Sequence, residues 1–184
     1  MKSFALRGRS SPTRRDGFTL IELAIATSIL MIGIVSVLSA TSQMNSLRLV
    51  NRERTLAQNA VRSLSERIHA TSEGFSDDPT TWAADLVAAY GPLGAPGQHF
   101  DVLGLAPAAD GERVGTVAIG LDERATDAEL GRDLGMPRDL NGDGDATDAD
   151  VSASARILPV TLTLRWRGEN GVHVLRHGFY VMGY

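Results

Sequence analysis

Across residues 23–47 the chain carries no charged side chain, a run of 25 positions dominated by Ile, Leu, Val, Ala and Met. Counted over residues 18–40, the same region holds 23 residues and one charge, Glu22. As a helix, that length reaches roughly 35 Å, enough to cross a hydrocarbon layer about 30 Å thick. A core helix in a chain of 184 residues needs a polar face, and this stretch offers only Thr27, Ser28, Ser36, Ser39 and Thr41. Their hydroxyls can bond back to a carbonyl one turn earlier, so a helix can carry them into lipid. The run therefore predicts a membrane span. Before it stand Lys2, Arg7, Arg9, Arg14 and Arg15 against Asp16, a net +4 that holds the N-terminal end in the cytoplasm and sends the remainder across. Ser39-Ala40-Thr41 is a weak candidate for signal-peptide cleavage, and Glu22 is wrong for a signal. A carboxylate at that depth costs a few kcal/mol unless something partners it.

Arg14-Arg15-Asp16-Gly17-Phe18-Thr19-Leu20-Ile21-Glu22 resembles the processing site of type IV prepilins and of the pseudopilins of type II secretion. A basic leader ends in Gly, and Phe-Thr-Leu-Ile-Glu then opens an apolar helix. The resemblance implies that a membrane-embedded prepilin peptidase cuts between Gly17 and Phe18 and methylates the new amine of Phe18. It also implies that Glu22, fifth in the mature chain, pairs with the Phe18 amine of a neighbouring subunit. An ammonium against the carboxylate makes a buried acid tolerable. Major pilins usually bend this helix with a Gly and a Pro, at positions that here hold Met31 and Ser39; only Gly33 offers a weak point. A straighter helix suits a minor pilin or pseudopilin, and the Ala/Arg-rich residues 52–68 with the closing hairpin look most like the PilV-like minor pilins.

The helix pattern continues past the membrane. Val50, Ala57, Val61, Leu64 and Ile68 recur at helical spacing, with Arg48, Arg52, Arg54, Gln58, Arg62 and Glu66 largely on other faces. No Gly or Pro lies between Gly33 and Gly74, so one helix is expected over about residues 18–71, on the order of 80 Å long. Residues 80–90 read as a short helix, with Asp77 or Asp78 as cap and Gly91-Pro92 as stop. Residues 91–111 read as loop and residues 114–121 as a strand. In residues 156–167, Val160, Leu162, Leu164 and Trp166 alternate with Thr161, Thr163, Arg165 and Arg167; Gly168-Glu169-Asn170-Gly171 then turns the chain into a partner strand over residues 172–182. A hairpin needs a covering layer. The expected fold is α+β and type IV pilin-like, a long N-terminal helix packed on a small antiparallel sheet. Its expected divisions are a leader over 1–17, a filament-core helix over 18–40, an amphipathic helix over 41–72 and an exported head over 73–184.

An acidic loop interrupts the head at residues 139–150. Asp139, Asn141, Asp143, Asp145, Thr147, Asp148 and Asp150 place oxygens at loop positions 1, 3, 5, 7, 9, 10 and 12, with Gly144 sixth, where the loop must turn sharply. The spacing resembles the calcium loops of EF-hands and dockerins, with Asp150 standing where EF-hands usually carry Glu. Gly131, Gly135 and Pro137 break any preceding helix, so a paired EF-hand is not expected. The expectation is Ca2+ held by Asp139, Asn141, Asp143, Asp145, Asp148 and Asp150 in a structural role, against the plainer reading of a solvated acidic turn.

Several functions are excluded by composition. No cysteine is present, so thiol catalysis and thiolate metal sites cannot be built; Lys2 is the sole lysine. His173 and His177 lie four apart in an expected strand, about 13 Å, too far for a shared metal. No glycine-rich phosphate cradle, Gly-x-Ser-x-Gly or His-Glu-x-x-His occurs, and no enzyme activity is expected. The pI near 5.5 rules out a simple nucleic-acid coat. Without its leader the chain would hold 13 basic and 21 acidic residues, a net −8. Expected partners are other pilin or pseudopilin subunits, the peptidase, an inner-membrane assembly platform with its ATPase, and membrane lipid before assembly. The expected location is the bacterial inner membrane, single-pass, with a periplasmic or extracellular head. Two alternatives share the anchor: a calcium-dependent adhesion module whose chain is not recut at Phe18, and a DNA-uptake component whose head bears a basic stripe from Arg156, Arg165, Arg167 and Arg176.

Overall fold

A computed structural model describes residues 17, 19–75 and 81–183. The elements run α1 (Leu20–Phe75), α2 (Trp82–Tyr90), β1 (His99–Phe100), β2 (Ala106–Pro107), β3 (Gly115–Ile119), α3 (Asp127–Leu130), β4 (Ile157–Gly168) and β5 (Gly171–Met182). The chain divides after Asn45 into two compact units. The first, from Leu20 to Asn45, is helix throughout. The second contains the sheet and the only hydrophobic core among the described residues.

The fold is α+β, a long N-terminal helix packed on an antiparallel sheet. Within the second unit, α1 buries Ala57, Val61, Ile68 and Ser72, spaced by four, seven and four residues. Val50 and Leu64 are half-buried on the same side. This stripe packs with Leu158, Val160, Leu162, Leu164 and Trp166 of β4. Two polar contacts fix the register of helix on sheet: Trp166 Nε1 donates to Glu53 at 3.2 Å, and Ser72 Oγ donates to the Met182 carbonyl at 3.4 Å. His69, for which no partner is evident in the sequence, lies with its ring 5.1 Å from that of Phe179.

Strand β4 is the spine of the sheet. It pairs with β5 along its whole length on one edge, and with β3 and then β2 on the other. The hairpin closes on the pair Gly168–Gly171 around a two-residue turn, as the sequence predicts. Pro159 sits inside this central strand without breaking a ladder bond, because its missing N–H faces the β3 side just where β3 ends. Only its carbonyl is used there, accepting from Gly120 N–H at 2.9 Å.

Two expectations need correction. The expected loop over residues 91–111 contains β1 and β2, each two residues long and held by pairing with β3 and β4 rather than by local pattern. The short helix starts later than expected, at Trp82. Its N-cap position is Thr81, whose side chain makes no capping bond, and Asp77 and Asp78 lie outside the described residues. Trp82 explains the start: its ring is buried and its Nε1 donates to the Ala155 carbonyl at 2.8 Å, so tertiary anchoring replaces a side-chain cap.

The face of β4–β5 away from α1 is half covered. Residues 120–155 fold over its far end, which is why Thr161, on the polar side of the β4 alternation, is only 5% exposed. Gly178 is required beneath this covering segment, since a Cβ there would lie 2.8 Å from Arg132 Cγ and 2.9 Å from Leu134 Cδ2. Ile68 is fully buried between helix and sheet, so Ile68→Ala should destabilise the head by about 2–5 kcal/mol. Glu66→Ala, which removes an exposed ion pair with Arg62, should cost about 0.5 kcal/mol or less. Thermal unfolding of the two variants beside wild type checks the contrast.

Candidate functional site

The N-terminal site is built on the first turn of α1. Thr19 and Glu22 form a reciprocal pair there: Thr19 N–H and Oγ1 each donate to Glu22 Oε2 at 3.4 Å, and Glu22 N–H donates to Thr19 Oγ1 at 3.3 Å. This is the Thr-x-x-Glu capping pattern, legible in the sequence yet overshadowed by the acid's position in an apolar run. From Leu20 to Asn45 the helix is exposed at every position. Its most apolar 18-residue window averages a mean hydropathy of 2.3 and is 0% buried. The hydroxyls of Ser28, Ser36 and Thr41 bond back to the carbonyls of Ala24, Ile32 and Val37 at 2.8–2.9 Å, as expected for a helix entering lipid. Glu22 is thus the one acid in an uncovered apolar surface.

Gly17 is described and exposed; Phe18 lies outside the described residues. Among the described residues, a Cβ built on Gly17 meets nothing within 4 Å, and its φ is not positive, so neither their packing nor the backbone conformation demands glycine at this position. Residues 12–38 match the family described as the prokaryotic N-terminal methylation motif. This is the type IV prepilin and pseudopilin signature. It covers the leader end, Gly17, Phe18, Glu22 and the first part of the apolar helix. Neither the curated proteins nor the solved structures provide a match to the chain. The pilin signature and the uncovered apolar helix together fit a membrane-anchored chain that associates with other pilin subunits and is processed by a prepilin peptidase.

The acidic loop is ordered by its own backbone. Asp139 accepts N–H bonds from Gly142 and Gly144, and these hold its carboxyl below the usual range. Asn141 accepts from Asp143 N–H, Asp143 from Asp145 N–H and Asp145 from Thr147 N–H, all at 2.9–3.0 Å. Asn141 Nδ2 reaches two carboxylates, Asp143 at 3.2 Å and Asp148 at 2.9 Å. Asp148 is pushed above the ordinary value of 3.8 by desolvation and then by the negative charges of Asp143, Glu123 and Asp145. Asp150 faces elsewhere, accepting from Ser152 N–H at 2.9 Å, a bond that lowers its pKa. Among the described residues no three acidic or His side chains form a ready-made metal site.

Glu123 was not legible as part of this site. It is fully buried, and its carboxylate accepts from Leu140, Asn141 and Asp148 N–H at 2.7, 3.2 and 3.3 Å. Its own N–H donates to the Asp148 carbonyl and its carbonyl accepts from Arg138. One buried acid therefore pins both ends of the loop, sixteen residues from the nearer end and without any local motif to reveal it. The expected basic stripe is only partly assembled. Arg165 and Arg167 of β4 share a face with Arg176 of β5 by register, whereas Arg156 lies beside Gly142 in the acidic loop.

These pKa directions carry opposite signs for stability. The raised Asp148 costs stability once the pH exceeds 3.8, and the cost vanishes below it. The lowered Asp139 adds stability above 3.8 that is lost in acid. In calcium-free buffer at neutral pH, Asp148→Asn should raise Tm and Asp139→Asn should lower it; the first difference should fade as pH falls toward 3.8 and the second only as pH falls below it. Thermal unfolding across a pH series checks both signs.

Proposed function

We propose that the chain is a minor pilin or pseudopilin, a structural subunit of a type IV pilus or type II secretion pseudopilus. The observation that carries this reading is the methylation motif running straight into an apolar helix that has no protein cover and contains one acid. Cleavage after Gly17 frees the amine of Phe18, and Glu22 of an adjoining subunit receives it. The pairing turns a carboxylate that is costly in lipid into half of a dry ion pair. Extraction of the helix from the bilayer then leaves its apolar surface against other helices. Before assembly the chain sits in the inner membrane with its leader cytoplasmic and its head outside. An assembly platform and its ATPase supply the work of extraction.

N-terminal mass spectrometry of chain recovered from the cell envelope tests this. The expected species begins at methylated Phe18; a mature chain that keeps Arg14 and Arg15 would overturn the reading. Glu22→Val should still be cut after Gly17 but drop out of sheared filaments, which immunoblotting of the filament fraction checks.

Calcium in the acidic loop belongs to the same proposal. Asp139, Asn141, Asp143, Asp145 and Asp148 bring oxygens to one loop, and the carboxylate repulsion that adds to desolvation in raising Asp148 is the kind a divalent cation relieves. Binding requires Asp143, Asp145 and Asp148 to draw together, and Asp150 to leave Ser152 if it takes part. Bound calcium would tie down a self-repelling loop that Glu123 already anchors. Calcium at millimolar concentration should raise Tm, and Asp143→Ala should abolish the rise; a calorimetric titration with no shift in wild type would sink the calcium reading alone.

A further inference from the structure

Strand β5 ends the sheet. It pairs with β4 and, among the described residues, its backbone groups from Gly171 to Val181 make no backbone bond to any other element; only the Met182 carbonyl at its end accepts from Ser72. The hairpin register says which groups are free. Gly168 and Gly171 close the two-residue turn as a mutually bonded pair, so bonding to β4 falls on residues 171, 173, 175 and onward in twos. The bond from Arg165 N–H to the Val114 carbonyl agrees, since it points residue 165 away from β5. Val172, Val174 and Arg176 therefore present N–H and C=O groups outward. No proline, lysine or bulge blunts this edge, and Val172 and Val174 are 54% and 51% exposed. Natural edges of this length are normally protected by such devices.

The edge also has a groove beside it. Between α1 and β5 runs a hollow of about 380 Å³ whose lining includes Arg62, Ser65, Arg132, Leu175, Arg176 and His177. A smaller hollow adjoins it at Leu175 and adds Arg54 and Val174. The sole acid lining either is Glu53, which already accepts from Trp166. Arg54, Arg132 and Arg176 have no acidic partner among the described residues; Arg62 has only the exposed Glu66. A cluster of unpaired guanidinium groups along a free strand edge is unusual in a head whose overall charge is negative.

We propose that this edge is a docking site for an extended, carboxylate-rich segment of another protein chain, which adds to the sheet as a further strand. Main-chain bonds from Val172, Val174 and Arg176 would supply the ladder, and Arg54, Arg132 and Arg176 would receive the side-chain carboxylates. β-Branched side chains at 172 and 174 suit a strand added alongside. The inference goes beyond assembly through the N-terminal helix and does not depend on Glu22 or on calcium.

The test uses full-length chain in detergent micelles and three fluorescent probes: an alternating Glu-Val octapeptide, its Lys-Val counterpart and a short DNA duplex. The acidic peptide should bind and slow amide hydrogen exchange at Val174 and Arg176. Val174→Pro removes an outward N–H without touching the β4 ladder, and Arg132→Glu with Arg176→Glu reverses the flanking charge. Each variant should weaken peptide binding about tenfold or more with unchanged far-UV dichroism. Should Val174→Pro fail to fold, the charge-reversed chain and the exchange measurement still decide. Equal binding of the two peptides, unchanged exchange at Val174, or a duplex that displaces the peptide and ignores the charge reversal would each overturn the proposal.

Discussion

The arrangement of this protein depends on an unmet requirement in its first helix. An 18-residue apolar window lies wholly outside any protein core, with Glu22 near its start. Apolar area in water costs about 25 cal/mol per Å², so such a surface must meet lipid or other helices. The acid adds the converse demand, because lipid alone cannot solvate it. An apolar surface that contains a carboxylate is satisfied only where oil and a cation coincide. In the proposed assembly, the amine of a neighbouring Phe18, freed by cleavage at the methylation motif, would meet both conditions. Within a single chain Glu22 has a lesser occupation, capping its own helix through Thr19.

The head solves a different problem, that of covering two faces of one sheet. Helix α1 covers one, through Ala57, Val61 and Ile68. The other is covered at its far end by residues 120–155, which contain little regular structure and must satisfy their backbone polar groups by other means. Two carboxylates serve this purpose. Asp127 accepts N–H bonds from Leu134, Gly135 and Met136 at 2.9–3.0 Å, and these bonds hold its pKa low. Buried Glu123 does the same for Leu140, Asn141 and Asp148. The covering segment is thus organised by acids as much as by apolar contact. The high content of Asp and Glu in the second unit is therefore more than a solubility device.

The helix and the hairpin were legible because their signals are local. The α1 stripe repeats every three or four residues, and the β4 alternation from Val160 to Trp166 has period two. Gly168 to Gly171 announces its own turn. β1 and β2 were illegible because a two-residue strand has no period, and exists only by pairing with β3 and β4. The N-terminal motif was readable from contiguous sequence, and the family match over residues 12–38 falls on the same stretch. The acidic loop was readable as a set of oxygens, not as an arrangement. Its spacing does not reveal that Asp150 turns to Ser152 or that Glu123 pins the loop from afar.

By itself, the sequence determined that this chain has a membrane-length apolar helix, a recognisable N-terminal methylation motif and a head built from a helix and a hairpin. Those are consequences of periodicity, charge placement and short motifs, all of which act over a few residues. Only the tertiary structure decided that Thr161 is buried, that Gly178 must lack a side chain beneath Leu134, and that Arg132 comes to the free edge of β5 beside Arg176. Each depends on residues distant in the chain meeting across the sheet. Such meetings are set by how a long irregular segment closes over a surface, and no local pattern encodes that closure.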